Sequence, residues 1–170
     1  KTDFIREWWE SGDAVTLITR PRRFGKTVMA NMLGAFLTKS AATAKLFAQL
    51  KIGRDAEAMQ HINQYNVIYI DFSRISSNDY QSYIDNIADA LKKDLHKAYP
   101  DVDYRAAGGV AEDLERITAA TGERFIFIFD EWDAIFHAAF ISEDDRKKYL
   151  LFLKDLLKDR VYVQLAYMTG

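Results

Sequence analysis

The sequence predicts an α/β fold on a mostly parallel sheet, and three observations predict it. Short β-branched or aromatic runs alternate with longer segments whose apolar residues recur at helical spacing, the pattern of strands joined by helical crossovers. Phe125-Ile126-Phe127-Ile128-Phe129 is apolar without interruption, as suits a strand in mid-sheet covered on both faces. The first strand runs into a Gly-Lys-Thr step and then a helix, the local order that presents a helix N-terminus to an anion.

The elements follow in order. Residues 2–11 put Phe4, Ile5, Trp8 and Trp9 on one helical face, with Thr2 or Asp3 as cap and Gly12 as stop. Residues 15–19, Val-Thr-Leu-Ile-Thr, read as a buried strand. Residues 26–37 carry a helical stripe of Val28, Met29, Met32, Leu33, Phe36 and Leu37. Residues 41–64 read as one or two short helices broken near Gly53, and 67–72 as the second strand. A longer helix is opened by Asn78 with Gln81 three residues on. Its inner stripe is Tyr80, Tyr83, Ile84, Ile87, Leu91 and Leu95, with Lys92, Lys93 and Lys97 near its end and Pro100 beyond. After Gly108-Gly109 a helix is expected over 111–120, then the strand 125–129, a helix over 144–159 and a strand over 161–168.

Composition limits the function classes. The chain has 170 residues, one domain's length or slightly more. Lys+Arg is 23 and Asp+Glu 25, a net charge of −2, so nucleic-acid or anionic-membrane binding needs a local patch. Hydrophobic residues are 49%, with Phe 11, Tyr 9 and Trp 3, which supports a bulky core. With no Cys, disulfides, thiolate metal sites and cysteine nucleophiles are excluded. No apolar run reaches the ~18 residues of a membrane span. The chain opens on Lys1 rather than Met and reads as a fragment or processed chain of a longer protein. His61, His96 and His137 lack ligand spacing, so no metal site is assigned to them.

Chemistry concentrates at two strand ends. Arg20-Pro21-Arg22-Arg23-Phe24-Gly25-Lys26-Thr27 has the spacing of a phosphate-binding loop, with Arg20 where the first Gly of Gly-x-x-x-x-Gly-Lys-[Ser/Thr] stands. The loop around Arg22, Arg23, Phe24, Gly25 and Val28 would turn backbone N–H groups toward phosphate oxygens, Lys26 would reach the outer phosphates, and the Thr27 hydroxyl would sit on Mg²⁺. The strand 125–129 then ends in Asp130-Glu131, the Walker B arrangement, in which the Asp holds Mg²⁺ through water and the Glu serves as general base. The block 67–72 lies between the two motif strands in sequence. With Glu131 after Asp130, an additional strand placed between the two in the sheet resembles the additional-strand catalytic-glutamate division of P-loop NTPases, which holds AAA and RecA-like ATPases. No Asn-Lys-x-Asp guanine motif is present, so adenine is the expected base.

The string Leu17 to Thr27, together with Val67 to Ser73, Asp130-Glu131-Trp132-Asp133, Ala166 to Gly170 and the opening Lys1-Thr2-Asp3-Phe4-Ile5, resembles the bacterial AAA-ATPase-like family. Its members often carry a restriction-endonuclease-like nuclease domain at the C-terminus. The resemblance covers most of the chain. It implies ATP binding, Mg²⁺ dependence and hydrolysis in a three-layer P-loop NTPase sandwich, here one domain over 1–170 that stops before the last core strand. Arg20 is then a family habit, Lys26 and Glu131 are catalytic, Thr27 and Asp130 serve the metal, and Thr169 is either a sensor of the terminal phosphate or a plain strand-end hydroxyl. The implied partners are ATP or ADP and the C-terminal, nuclease-like region of the complete protein, with a cytoplasmic location and no membrane partner. The alternatives are a nucleotide switch with little hydrolysis, or a nucleic-acid-associated module using Arg20, Arg22, Arg23 and Lys26.

Smaller signals carry two readings each. Trp8 and Trp9 either pack against the sheet or stack on adenine. Asp71 either joins the Mg²⁺ water network or simply ends a strand, and Asp133 is either a catalytic neighbour or the cap of 134–140. The expected sheet is parallel in the order 15–19, 161–168, 125–129, 67–72. That order leaves 15–19 as an edge, to be covered by the helix 2–11, by contacts with another molecule, or by a strand beyond Gly170.

Overall fold

The computed structural model describes residues 1–19 and 25–170. Its chain order is α1 (Asp3–Ser11), β1 (Val15–Ile18), α2 (Lys26–Leu37), α3 (Ala44–Ala48), α4 (Ala56–Met59), β2 (Asn66–Asp71), α5 (Tyr80–Ala98), α6 (Val110–Thr121), β3 (Phe125–Asp130), α7 (Glu143–Leu157) and β4 (Val163–Thr169). Single 3₁₀ turns occupy Lys51–Arg54, Phe72–Arg74 and Ala134–His137. The chain forms two compact units, Lys1–Asp71 with Phe125–Trp132 and Gln164–Gly170, and Phe72–Arg124 with Asp133–Val163.

The first unit holds the sheet, in the expected order β1-β4-β3-β2. β1 runs parallel to β4, with Val15 opposite Ala166 and Ile18 opposite Thr169. β2 runs parallel to β3, with Asn66 opposite Phe125 and Asp71 opposite Asp130. Every residue of β3 is buried. Ile126 and Ile128 share one core with Leu33, Phe36 and Leu37 of α2 and with Ile5 and Trp8 of α1. Burial of Trp8 therefore answers its two readings in favour of packing. Trp9 packs on the His61 ring at a 33° tilt, with ring centroids 4.2 Å apart, and His61 Nδ1 shares a hydrogen bond with the Tyr65 hydroxyl.

Several local expectations are corrected. β1 is not buried: Val15 and Leu17 are 42% and 49% exposed, because β1 is the edge strand and α1 packs instead on Tyr167 of β4, through Phe4 and Trp8. Thr2 occupies the N-cap of α1 without a capping bond; its hydroxyl accepts the Ile52 N–H at 3.3 Å instead, while Asp3 pairs with Lys51 at 2.6 Å. Gly53 lies inside a 3₁₀ turn and does not simply break a helix. A Cβ there would stand 2.3 Å from the Ala48 carbonyl oxygen, so the turn closes on α3 only because the side chain is absent.

The second unit is helical, built around Tyr83, Ile87, Leu114, Ile117, Tyr149 and Leu153. Phe72, Tyr83 and Phe136 all meet the fully buried Tyr149 ring edge-on. The start of α5 is capped by Asp79, whose carboxylate accepts from the Ser82 N–H at 2.9 Å and its hydroxyl at 2.6 Å; Asn78 with Gln81 does not form the cap. Those hydrogen bonds hold the Asp79 carboxyl below the usual aspartate range. α7 opens with a capping box in which Ser142 and Asp145 bond reciprocally. Asp133 precedes the 3₁₀ turn Ala134–His137 but its side chain makes no capping bond. Among the described residues no helix is long and apolar enough to cross a membrane.

Candidate functional site

The parallel order gathers the motif residues at the carboxyl ends of β1, β4 and β3, the edge at which α/β proteins bind ligands. α2 begins at Lys26 because Gly25 turns the chain at φ 78°, a left-handed value that glycine adopts without steric cost. The Gly25 carbonyl accepts the Met29 N–H at 3.0 Å, the first bond of the helix. The Lys26 ammonium donates to the Gly170 carbonyl oxygen at 2.7 Å, just beyond β4. Thr27 and Val28 lie exposed on the first turn of α2. Arg20, Arg22, Arg23 and Phe24, the remainder of the expected phosphate loop, lie outside the described residues.

Two strand ends supply the rest. Asp130, last residue of β3, is 1% exposed, and Thr169, last residue of β4, is fully buried. The Thr169 hydroxyl donates to Asp130 Oδ1 at 2.5 Å. The Trp132 N–H donates to the Thr169 carbonyl at 3.1 Å, which turns the chain after β3 toward β4. Between them Glu131 adopts φ 50°, an uncommon backbone value for a non-glycine residue, of the kind found at functional sites. Gly170 N–H donates to the Ile18 carbonyl at 3.4 Å and ties the edge to β1. Thus Lys26, Gly170, Thr169 and Asp130 form one connected path, with Glu131 next along the chain. Asp71 stands opposite Asp130 in register but is only partly buried.

The sequence pattern brought Lys26, Asp130 and Thr169 to one edge, but it gave no sign that the Thr169 hydroxyl is committed to Asp130. That bond needs the β3–β4 register. Nor did it single out the Gly170 carbonyl, a backbone group without a residue-type signature. The donors suit a hard divalent cation: a hydroxyl on an exposed helical turn and a buried carboxylate fixed through one oxygen. Among the described residues no group of three or more His, Cys, Asp or Glu could hold a metal ion.

A family model described as "Predicted AAA-ATPase" matches residues 1–170, the whole chain. The chain belongs to the AAA-ATPase-like family. Among solved structures, this AAA-ATPase-like chain is similar to the Aeropyrum pernix ORC2 protein (ADPNP-ADP complexes), at 14% identity and a TM-score of 0.44. The match covers 99% of this chain and 39% of that one, so the AAA-ATPase-like chain spans well under half of that protein's length. No curated protein matches it.

Proposed function

We propose that this AAA-ATPase-like chain binds ATP with Mg²⁺ and hydrolyses it to ADP and inorganic phosphate, as the nucleotide-binding domain of a longer protein. The observation that carries the reading is the path Lys26–Gly170–Thr169–Asp130 at the carboxyl edge of a parallel sheet. Lys26 exchanges its backbone acceptor for the outer phosphate oxygens, a gain because a charge-assisted bond to an anion is stronger than one to a neutral carbonyl. Gly25 and Val28, with Arg22, Arg23 and Phe24, line the phosphate loop. Thr27 and Asp130 would hold the metal. The metal, when bound, neutralises charge on the transferring phosphoryl group. Glu131 takes the proton of the attacking water. To act as a sensor, Thr169 would turn its hydroxyl proton from Asp130, which it holds here, to the terminal phosphate.

Titration of wild type and Lys26→Ala with a fluorescent ATP analogue, with and without Mg²⁺, tests the reading. The expected result is Mg²⁺-supported binding in wild type and loss of tight binding in the variant, with an unchanged circular dichroism spectrum. Equal affinity in the two proteins overturns it.

A further inference from the structure

The outward face of α7 carries none of the residues assigned to nucleotide chemistry, and its composition is unlike that of a solvated helix. Tyr149, Leu153, Leu156 and Leu157 turn inward and are buried. Leu150 and Leu151 turn outward and are 48% and 54% exposed. At 3.6 residues per turn, Lys147, Leu150, Leu151, Lys154 and Lys158 fall within an arc of about 100°. Among the described residues none of these three lysines has an ion-pair partner, whereas the neighbouring Lys148 is held by Asp144 at 2.7 Å. On the same arc Glu143 is engaged by Arg146 at 4.0 Å.

Along the helix axis the two exposed leucines lie between Lys147 on one side and Lys154 and Lys158 on the other, a small apolar centre with cations at both ends, while the exposed Asp155 stands beside Lys158 just outside the arc. We propose that this face of α7 docks an acidic amphipathic protein segment. Its apolar side chains cover Leu150 and Leu151, and its carboxylates meet Lys147, Lys154 and Lys158. Charge complementarity selects this occupant. A second copy of the chain is disfavoured: an antiparallel pair of α7 helices centred on the two leucines sets Lys147 against the Lys154 of the second copy on both sides of the axis. Nucleic acid would satisfy the lysines but leave the leucines against phosphates, and a membrane-surface helix needs a broader apolar face than two residues. The surface stands independently of the nucleotide reading.

Fluorescence anisotropy on the full chain tests the proposal. The probes are a labelled, designed 15-residue helical peptide with a central leucine pair flanked by Glu, and its counterpart with Lys for every Glu. The expected result is binding of the acidic peptide about tenfold or more tighter than the basic one, weakened by salt. The triple variant Lys147→Glu, Lys154→Glu, Lys158→Glu should invert that preference. Leu150→Ser with Leu151→Ser should weaken acidic-peptide binding severalfold while keeping the charge preference. All substituted positions are exposed, and circular dichroism checks each fold. The proposal is overturned if the two peptides bind alike or not at all. It is also overturned if phosphatidylserine vesicles or duplex DNA bind through these lysines while the acidic peptide does not, or if sedimentation shows a dimer that the serine variants abolish.

Discussion

Strands β1 and β3 both read as apolar in the sequence, yet they behave as opposites in the sheet. β3 is buried at every residue, with β4 on one side and β2 on the other. Among the described residues β1 has one neighbouring strand, and Val15 and Leu17 are nearly half exposed. Neighbourhood, more than composition, decides what an apolar strand contributes. The contrast extends to the strand ends. Asp71 and Asp130 are register partners, but Asp130 lies beside β4 and receives the buried hydroxyl of Thr169. Asp71 ends the strand at the far side of the sheet.

The sharpest way to break the first contrast is to truncate both strands. Ile128 sits in the core of the first unit, and its Cδ1 lies 3.8 Å from where a Cβ on Gly34 of α2 would stand. Ile128→Ala removes buried methyl groups and leaves a cavity, for an expected loss of about 3–4 kcal/mol. Leu17→Ala removes a half-exposed side chain and should cost under about 1 kcal/mol. Urea unfolding of the two variants measures the gap. Equal midpoints would mean that β1 is as buried in solution as β3.

The aspartates offer the second comparison. If Asp130 holds the metal, Asp130→Asn keeps an oxygen to accept the Thr169 hydroxyl but removes the charge. Turnover should fall by ~10²-fold or more, the scale seen when a group central to phosphoryl transfer is lost. Asp71→Asn should leave turnover near wild type. Phosphate release under saturating ATP and Mg²⁺ measures both. A comparable loss in the two variants would place Asp71 in the same machinery.

How much of this was legible in the sequence depends on the range of the interaction that decides it. The sheet order was legible because two motifs at strand ends and helical crossovers leave few topologies. Helix α2 matched its expected bounds because glycine, lysine and the apolar stripe all act locally. The exposure of β1 was not legible, since nothing within Val15 to Ile18 says which strand lies beside it. The Thr169–Asp130 bond needed residues 39 apart to be brought into register. The cap of α5 fell one residue away from the expected site, because Asn78 and Asp79 are both good caps and only the fold selects the carboxylate that reaches Ser82. The tight approach at Gly53 is invisible without Ala48 beside it.

The capping of α7 gives the smallest effect and contrasts the two ends of one helix. Its first turn is closed by a reciprocal pair: the Ser142 hydroxyl accepts the Asp145 N–H at 3.1 Å, and the Asp145 carboxylate accepts the Ser142 N–H at 3.1 Å and its hydroxyl at 2.6 Å. Its last turn is closed from outside the helix: the Lys158 N–H donates to the Lys154 carbonyl, and the Arg160 Nε and the Tyr162 hydroxyl donate to the Asp155 and Leu156 carbonyls, each at 2.6 Å. The Ser142 hydroxyl, then its N–H, holds the Asp145 carboxyl below the usual aspartate range. A carboxyl depressed in the folded state stabilises above its unfolded pKa of about 3.9, and that contribution is lost as the pH falls through the lower folded value. Ser142→Ala removes both the hydroxyl acceptor and the hydroxyl donor of the box, and should cost about 1 kcal/mol near neutral pH. The gap between wild type and variant should shrink as the pH falls through the lowered folded-state value of Asp145, below which the carboxyl is protonated in both proteins. Lys158→Ala at the other end should change stability by under about 0.5 kcal/mol, as surface substitutions away from caps do. Thermal melts at pH 7 and across the acid range measure both variants. A gap that stays constant with pH would show that the serine caps through its hydroxyl acceptor alone, without the carboxylate.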